Sequence, residues 1–226
     1  MGSGARLAVV LLLVAGCGLA ADVDGASAAN PIPPEVAALA AAHARHASIH
    51  GTFRWLTHVD PTAAPRERVG TFDLQRATAT QPTRYSVRTA APDETEIIRW
   101  WTDGHGRWQA EQAVSDDAVT VRPLKLGGND VDLDRVVACV LLDLPTLARD
   151  FALAVVTREG AKRLEFTPTS PAMREQVAGL AVILAGEQPQ EVIIDDVHGG
   201  RVRLVLTAVQ FDQVPDERLF AAPQAP

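Results

Sequence analysis

Most of the chain repeats one pattern, in which short segments of alternating apolar and polar residues are separated by turn-forming residues. A two-residue period places every second side chain on the same face of an extended strand, so the pattern predicts a mainly β protein. The residues that share a face in this way include Phe53 with Trp55, Phe72 with Leu74, and Tyr85 with Val87.

Turn signals divide these segments into about eleven antiparallel strands. Asp103-Gly104-His105-Gly106 and His198-Gly199-Gly200 are typical of hairpin turns. The apolar run Val177 to Leu184 fits either a helix or a strand. We predict a strand, because Glu187-Gln188-Pro189 turns the chain directly into another β segment. Three short helices are predicted, over residues 35–46, 133–144 and 145–150.

A sheet of this length is expected to curl, because twisted strands do not stay flat over so many neighbours. Curling produces a concave apolar face, which the short helices are available to cover. A curled sheet with a poorly filled interior can hold an apolar ligand. The predicted fold is therefore α+β but mainly β. It is a strongly curved antiparallel sheet of about eleven strands, with a few short helices available to cover its concave apolar face.

The first residues predict export. Arg6 precedes the apolar stretch Leu7 to Ala15, which is too short to span a bilayer, so residues 1–28 are expected to be a signal peptide and tether. Val14-Ala15-Gly16-Cys17 resembles a bacterial lipobox, in which Cys17 would be lipidated and anchor the protein to a membrane. The alternative is an ordinary cleavage after Ala28. Both predict a protein of the periplasm or cell envelope, with one domain over residues 35–223.

Composition and motifs exclude several classes of function. The net charge of −7 disfavours nucleic acid as a partner. The sequence contains no nucleophile elbow, phosphate loop, HExxH or CxxC motif, so we expect neither an enzyme nor a cofactor. Cys139 lies in an apolar setting, where it is expected to be inert packing.

Two clusters of metal-ligand residues are better explained without a metal. His43, His46 and His50 would share a helix face, but no further ligand completes a zinc site and we expect a solvated face. The acidic stretch 129–134 lacks the glycine and the distal glutamate of a calcium loop, which favours a loop and a helix N-cap.

The order of these elements resembles the LolA/LolB-like family of periplasmic lipoprotein carriers and receptors. The resemblance covers residues 35 to 223 and concerns motif order more than identity. The motifs that carry it are Gly70-Thr71-Phe72 followed by Arg76, the tryptophan-flanked Asp103-Gly104 hairpin, a helical insertion, Leu164-Glu165-Phe166-Thr167-Pro168, Asp195-Asp196-Val197-His198-Gly199-Gly200, and Pro215 with Phe220 and Pro223.

The resemblance implies an incomplete, strongly curved antiparallel β-barrel, with a few short helices as a lid over an apolar cavity. The cavity receives the acyl chains of lipids or lipoproteins on their way between membranes, and we expect the protein to act as a monomer. The resemblance also implies that Arg76 contacts the lid and latches it. The alternative is an envelope sensor or scaffold that uses the same half-barrel to bind a partner protein or another lipid. The cavity is expected to be lined by Phe53, Trp55, Phe72, Leu74, Tyr85 and Trp100.

Overall fold

The computed structural model describes residues 32–59, 62–91, 96–102, 107–113, 119–123, 133–158 and 160–221. The leader with Cys17, the hairpin turn predicted at 103–106 and most of the acidic stretch lie outside the described residues.

The described part of the chain forms one antiparallel sheet of eleven strands, as the alternation predicted. Its order is β6-β5-β4-β3-β2-β1-β11-β10-β9-β8-β7. The strands are β1 (Ser48–His58), β2 (Arg66–Gln75), β3 (Arg84–Ala90), β4 (Glu96–Thr102), β5 (Arg107–Ala113), β6 (Val119–Pro123), β7 (Phe151–Arg158), β8 (Ala161–Pro168), β9 (Val177–Ala185), β10 (Gln188–Asp196) and β11 (Arg201–Phe211).

The sheet consists of two meanders, β1 to β6 and β7 to β11, joined where β1 pairs with β11. Strands β6 and β7 are the two edges and do not pair with each other, so the barrel is incomplete, as predicted. The apolar run at Val177 is strand β9, which confirms the β interpretation.

The helices lie mainly at the start of the domain and between the two meanders. They are α1 (Pro34–His43), α2 (Leu133–Leu141), α3 (Leu144–Leu147), α4 (Pro171–Arg174) and one 3-10 helix, η1 (Glu217–Phe220). Proline occupies the first turn of α1, α3 and α4, where its missing N–H costs nothing. The sequence predicted the first three helices but missed α4 and η1, which are each a single turn.

Two glycines explain how the aromatic residues of β1 and β2 lie across the concave face. Gly51 is paired with Phe72 and Gly70 with Phe53, so each ring lies over the glycine of the neighbouring strand. A Cβ atom added at either glycine would be 2.6 Å from the facing ring. The motif Gly70-Thr71-Phe72 therefore has a packing role, because only glycine leaves room for these rings.

The opposite, convex face of the sheet carries charged side chains in cross-strand pairs. Arg54 is 2.7 Å from Glu67, and Arg203 is 2.6 Å from Glu191. Trp101 also faces this side and is buried, because η1 packs over β3 and β4. Trp108 lies opposite Trp101 in the register and shares this convex face, so it does not line the concave cavity.

Candidate functional site

The concave face holds a small apolar cavity of about 20 Å³. A space of that size holds about one water-sized group, whereas ligand pockets typically measure roughly 300–1,000 Å³. The sheet and α2 contribute the lining residues together. They are Phe53, Trp55, Phe72, Leu74, Val87 and Leu204 from the sheet, and Leu133, Val136, Val137 and Val140 from α2.

Helix α2 fills the interior of the curled sheet, which we expected to be poorly filled. Seven of its nine residues are buried, with only Asp134 and Arg135 partly exposed. The lining residues Leu133, Val136 and Val140 are spaced three and four apart, so they share one helical face toward the sheet. The structure therefore shows the concave face covered, and a larger ligand needs α2 to move.

Arg76 lies at the C-terminal end of α2 and bonds to its backbone. Its Nη2 atom donates to the carbonyl oxygen of Leu141 at 2.5 Å, and its Nε atom donates to that of His46 at 3.1 Å. The last carbonyls of a helix have no intrahelical partner, so the half-buried guanidinium satisfies a group that would otherwise be costly to bury. Burial lowers the pKa of Arg76, and the nearby Asp143 carboxylate opposes that shift.

His43 is the second member of this polar cluster. Arg76 Nη2 donates to His43 Nδ1 at 2.9 Å, and Nε2 of His43 is buried without a hydrogen-bond partner among the described residues. Burial, and then the positive charge of Arg76, lowers the pKa of His43 to about 4. The expectation that His43 lies on a solvated face is therefore wrong, because α1 turns this side chain inward toward Arg76.

Asp134, in the first turn of α2, holds the other end of the helix to the sheet. Tyr85 Oη donates to Asp134 Oδ1 at 3.2 Å, and Arg107 Nε donates to the same oxygen at 3.0 Å. Burial raises the pKa of Tyr85, as does the Asp134 carboxylate, which keeps the hydroxyl protonated and able to donate. A carboxylate at this position also interacts favourably with the helix dipole.

Burial changes along the concave face. At the end next to Arg76, which we call the closed end, Ile49, Leu74 and Tyr85 are buried. At the other end, which we call the open end, Trp55 and Trp100 are half-buried and stack with ring centroids 6.2 Å apart. Ile194 and Val202 at the same end are half-buried too. The open end is thus the accessible end of the apolar interior.

The structure brings most of the predicted cavity residues together. Phe53, Trp55, Phe72 and Leu74 line the cavity, whereas Trp100 stacks on Trp55 beside it and Tyr85 contacts α2 at Asp134. Sequence reasoning missed Leu204, although its alternation within β11 was visible. It also missed His43, Arg107 and Asp134, whose roles depend on contacts between distant parts of the chain.

Within the described residues, no three His, Cys, Asp or Glu side chains converge as a potential metal site. His46 pairs with Asp212, and His50 pairs with Asp73, so these histidines have separate partners. Cys139 is fully buried in α2, and burial raises the pKa of its thiol. None of the helices in this part of the chain has the length and hydropathy needed to span a membrane.

No protein-family model and no curated protein matches the chain. Among solved structures it is similar to an outer membrane lipoprotein-sorting protein domain from Vibrio parahaemolyticus, with a TM-score of 0.43 and 12% identity over 82% of this chain and 94% of that one. A LolA superfamily protein from Nitrosomonas europaea matches with a TM-score of 0.44 and 10% identity, over 83% of this chain and 97% of that one. The Pseudomonas aeruginosa MucA/MucB complex matches with a TM-score of 0.36 and 18% identity, over 83% of this chain and 60% of that one.

Proposed function

We propose that this protein binds the acyl chains of lipids or lipoproteins in the cell envelope, and carries or receives them between membranes. One observation supports the proposal above the others. The cavity is lined entirely by apolar residues, and part of its lining comes from a short helix that polar contacts fasten at both ends. An acyl chain that displaced α2 would meet the same apolar surface that α2 covers now.

The free energies of burial indicate how long an acyl chain must be to displace α2. Exposing the four α2 side chains that line the cavity costs roughly 8 kcal/mol, at about 2 kcal/mol each. Each acyl methylene removed from water contributes about 0.8 kcal/mol, so about ten buried methylenes offset the displacement. The site should therefore take long acyl chains and reject short ones. Calorimetry should show binding of palmitate and no measurable binding of octanoate.

The direct test is mass spectrometry of lipid that copurifies with the protein from a bacterial host. Bound acyl species are the expected result, and Trp55→Glu should reduce their amount because it places a charge among the lining residues. Protein that is consistently free of lipid and fails to bind palmitate would contradict the proposal. That outcome would favour the alternative, an envelope scaffold that binds a partner protein.

We propose further that the protein is exported and that Cys17 is its membrane anchor, as the lipobox-like residues Val14 to Cys17 suggest. Expressed in a bacterial host, Cys17→Ser should move the protein from the membrane fraction to the soluble fraction. A wild-type protein that is already soluble, with its N-terminus at Ala29, would instead support cleavage after Ala28.

A further inference from the structure

A charged pair lies on the concave face at the open end, on the same side of the sheet as the apolar lining. Arg68 is paired in register with Trp55, and both terminal nitrogens of its guanidinium donate to Glu96 Oε2 at 3.0 Å. Its Nε donates to the hydroxyl of Thr89, which is buried beneath it, at 3.2 Å. The Arg68 side chain is 24% exposed, and that of Glu96 is 45% exposed.

The location of this pair matters because acyl ligands are amphiphiles. A tail that fills the apolar interior must leave its headgroup where the interior meets water. The closed end is buried and occupied by Arg76, His43 and α1, so the headgroup has to remain at the open end. There it would lie beside Trp55, Trp100 and Arg68. Aromatic side chains with a polar edge are well suited to such a boundary.

The geometry of the pair indicates which headgroup is favoured. The Glu96 carboxylate engages Arg68 through a single oxygen atom, and the backbone oxygen of Glu96 accepts a further bond from Nη2 at 3.5 Å. An arginine–carboxylate pair is strongest when two parallel hydrogen bonds form. On the convex face of the neighbouring strands, Arg54 and Glu67 do form that two-bond arrangement, with distances of 2.7 and 3.1 Å. Arg68 is thus fixed by Thr89 but incompletely matched by its carboxylate, which is the more exposed partner.

We propose that Arg68 is the headgroup-binding residue of the acyl site. In this role it selects an amphiphile with an anionic headgroup, whose carboxylate or phosphate replaces Glu96 on the guanidinium. Glu96 is bound to the guanidinium when no ligand is present, and it competes with the headgroup when a ligand binds. This inference rests on the proposed acyl-binding function and adds the charge of the ligand to it.

The test compares amphiphiles that share one tail. Binding of palmitate, palmitoyl lysophosphatidate, monopalmitin and hexadecyltrimethylammonium is measured by calorimetry below micelle formation, with the full chain and three variants. The two anionic ligands should bind more tightly than the neutral and cationic ones. The stronger of the two identifies the headgroup as carboxylate or phosphate.

Arg68→Gln should weaken binding of the anionic ligands by about tenfold or more and leave the affinity for monopalmitin unchanged, because only a charge-assisted bond is lost. Glu96→Gln should tighten binding of the anionic ligands, and damage to the fold would not produce a gain in affinity. Arg54→Gln is the matched control, since it removes an arginine from the convex face of the adjacent strand; it should change none of these affinities.

Two results would overturn the inference while leaving acyl binding intact. One is equal affinity of the wild-type protein for all four headgroups. The other is tighter binding of the cationic ligand together with its loss in Glu96→Gln, which would assign recognition to Glu96. Failure of every amphiphile to bind would refute the proposed function itself, so the two failures are distinguishable.

Discussion

At the closed end of the concave face, Ile49, Leu74 and Tyr85 are buried and the lid helix α2 is fastened to Arg76, which also bonds to His43. At the open end, Trp55 and Trp100 are half-buried and face a charged pair. Both ends belong to the same strands and have the same apolar alternation. Apolar residues therefore stabilise the fold at the closed end, whereas those at the open end are accessible to a ligand.

The largest effect should come from placing a charge at each of two positions of the lining. Phe72→Glu buries an unpaired carboxylate in the core and should lower the free energy of unfolding by about 4 kcal/mol or more. Trp55→Glu, nearer the open end, should leave the domain folded but reduce palmitate binding at least tenfold. Urea unfolding and calorimetry on both variants test this contrast. Equal loss of stability in the two would assign Trp55 to the core as well.

The closed end should also make stability depend on pH. The pKa of His43 is lowered to about 4 in the folded state, so below pH 6.5 the unfolded chain binds a proton that the folded protein does not. Stability should therefore fall as the pH falls from 6.5 toward 4, by about 2 kcal/mol between pH 7 and pH 5. A protonated His43 can no longer accept the hydrogen bond of Arg76.

Urea unfolding at the two pH values measures this effect, and His43→Gln is the control. Glutamine can accept the bond from Arg76 but does not titrate, so this part of the pH dependence should disappear. If the variant keeps the full pH dependence, His43 is not its source.

Arg76 is expected to hold the lid, since its bond to the Leu141 carbonyl exists only when α2 covers the sheet. Such a charge-assisted bond is worth about 1.5 to 3 kcal/mol, so Arg76→Leu should speed the opening of α2 about tenfold or more. Thiol labelling of the buried Cys139 measures opening directly. With Cys17→Ser as background, Cys139 is the only thiol of the chain.

Labelling at low urea concentrations provides the control for Arg76→Leu. Local opening of the lid depends little on denaturant, whereas global unfolding depends on it steeply. Unchanged labelling, together with unchanged palmitate uptake and release, would remove Arg76 from the mechanism.

The smallest effect is expected at the N-terminal end of α2. Tyr85→Phe removes one neutral donor to Asp134 while Arg107 keeps its own bond. It should speed Cys139 labelling only severalfold, because Asp134 keeps its bond to Arg107 and is not left without a partner. An effect larger than that of Arg76→Leu would indicate that the lid is held mainly at its N-terminal end.

The strands and the faces of their side chains follow from local patterns in the sequence. Alternation is a local property, so it predicted eleven strands and placed Phe53 with Trp55 and Phe72 with Leu74 before any contact was known. It also resolved the run at Val177 as a strand, because the following turn signal lies within a few residues.

The segments that cover each face are set by contacts between distant parts of the chain. Arg76 meets Leu141 across 65 positions of the chain, and Arg99 of β4 bonds to the carbonyl of Ala221, beside η1, across 122. No local pattern encodes contacts at such separations. The inward turn of His43, the filling of the cavity by α2 and the burial of Trp101 on the convex face all follow from them. Alternation fixes the direction of a side chain, whereas its burial depends on which distant segment packs over it.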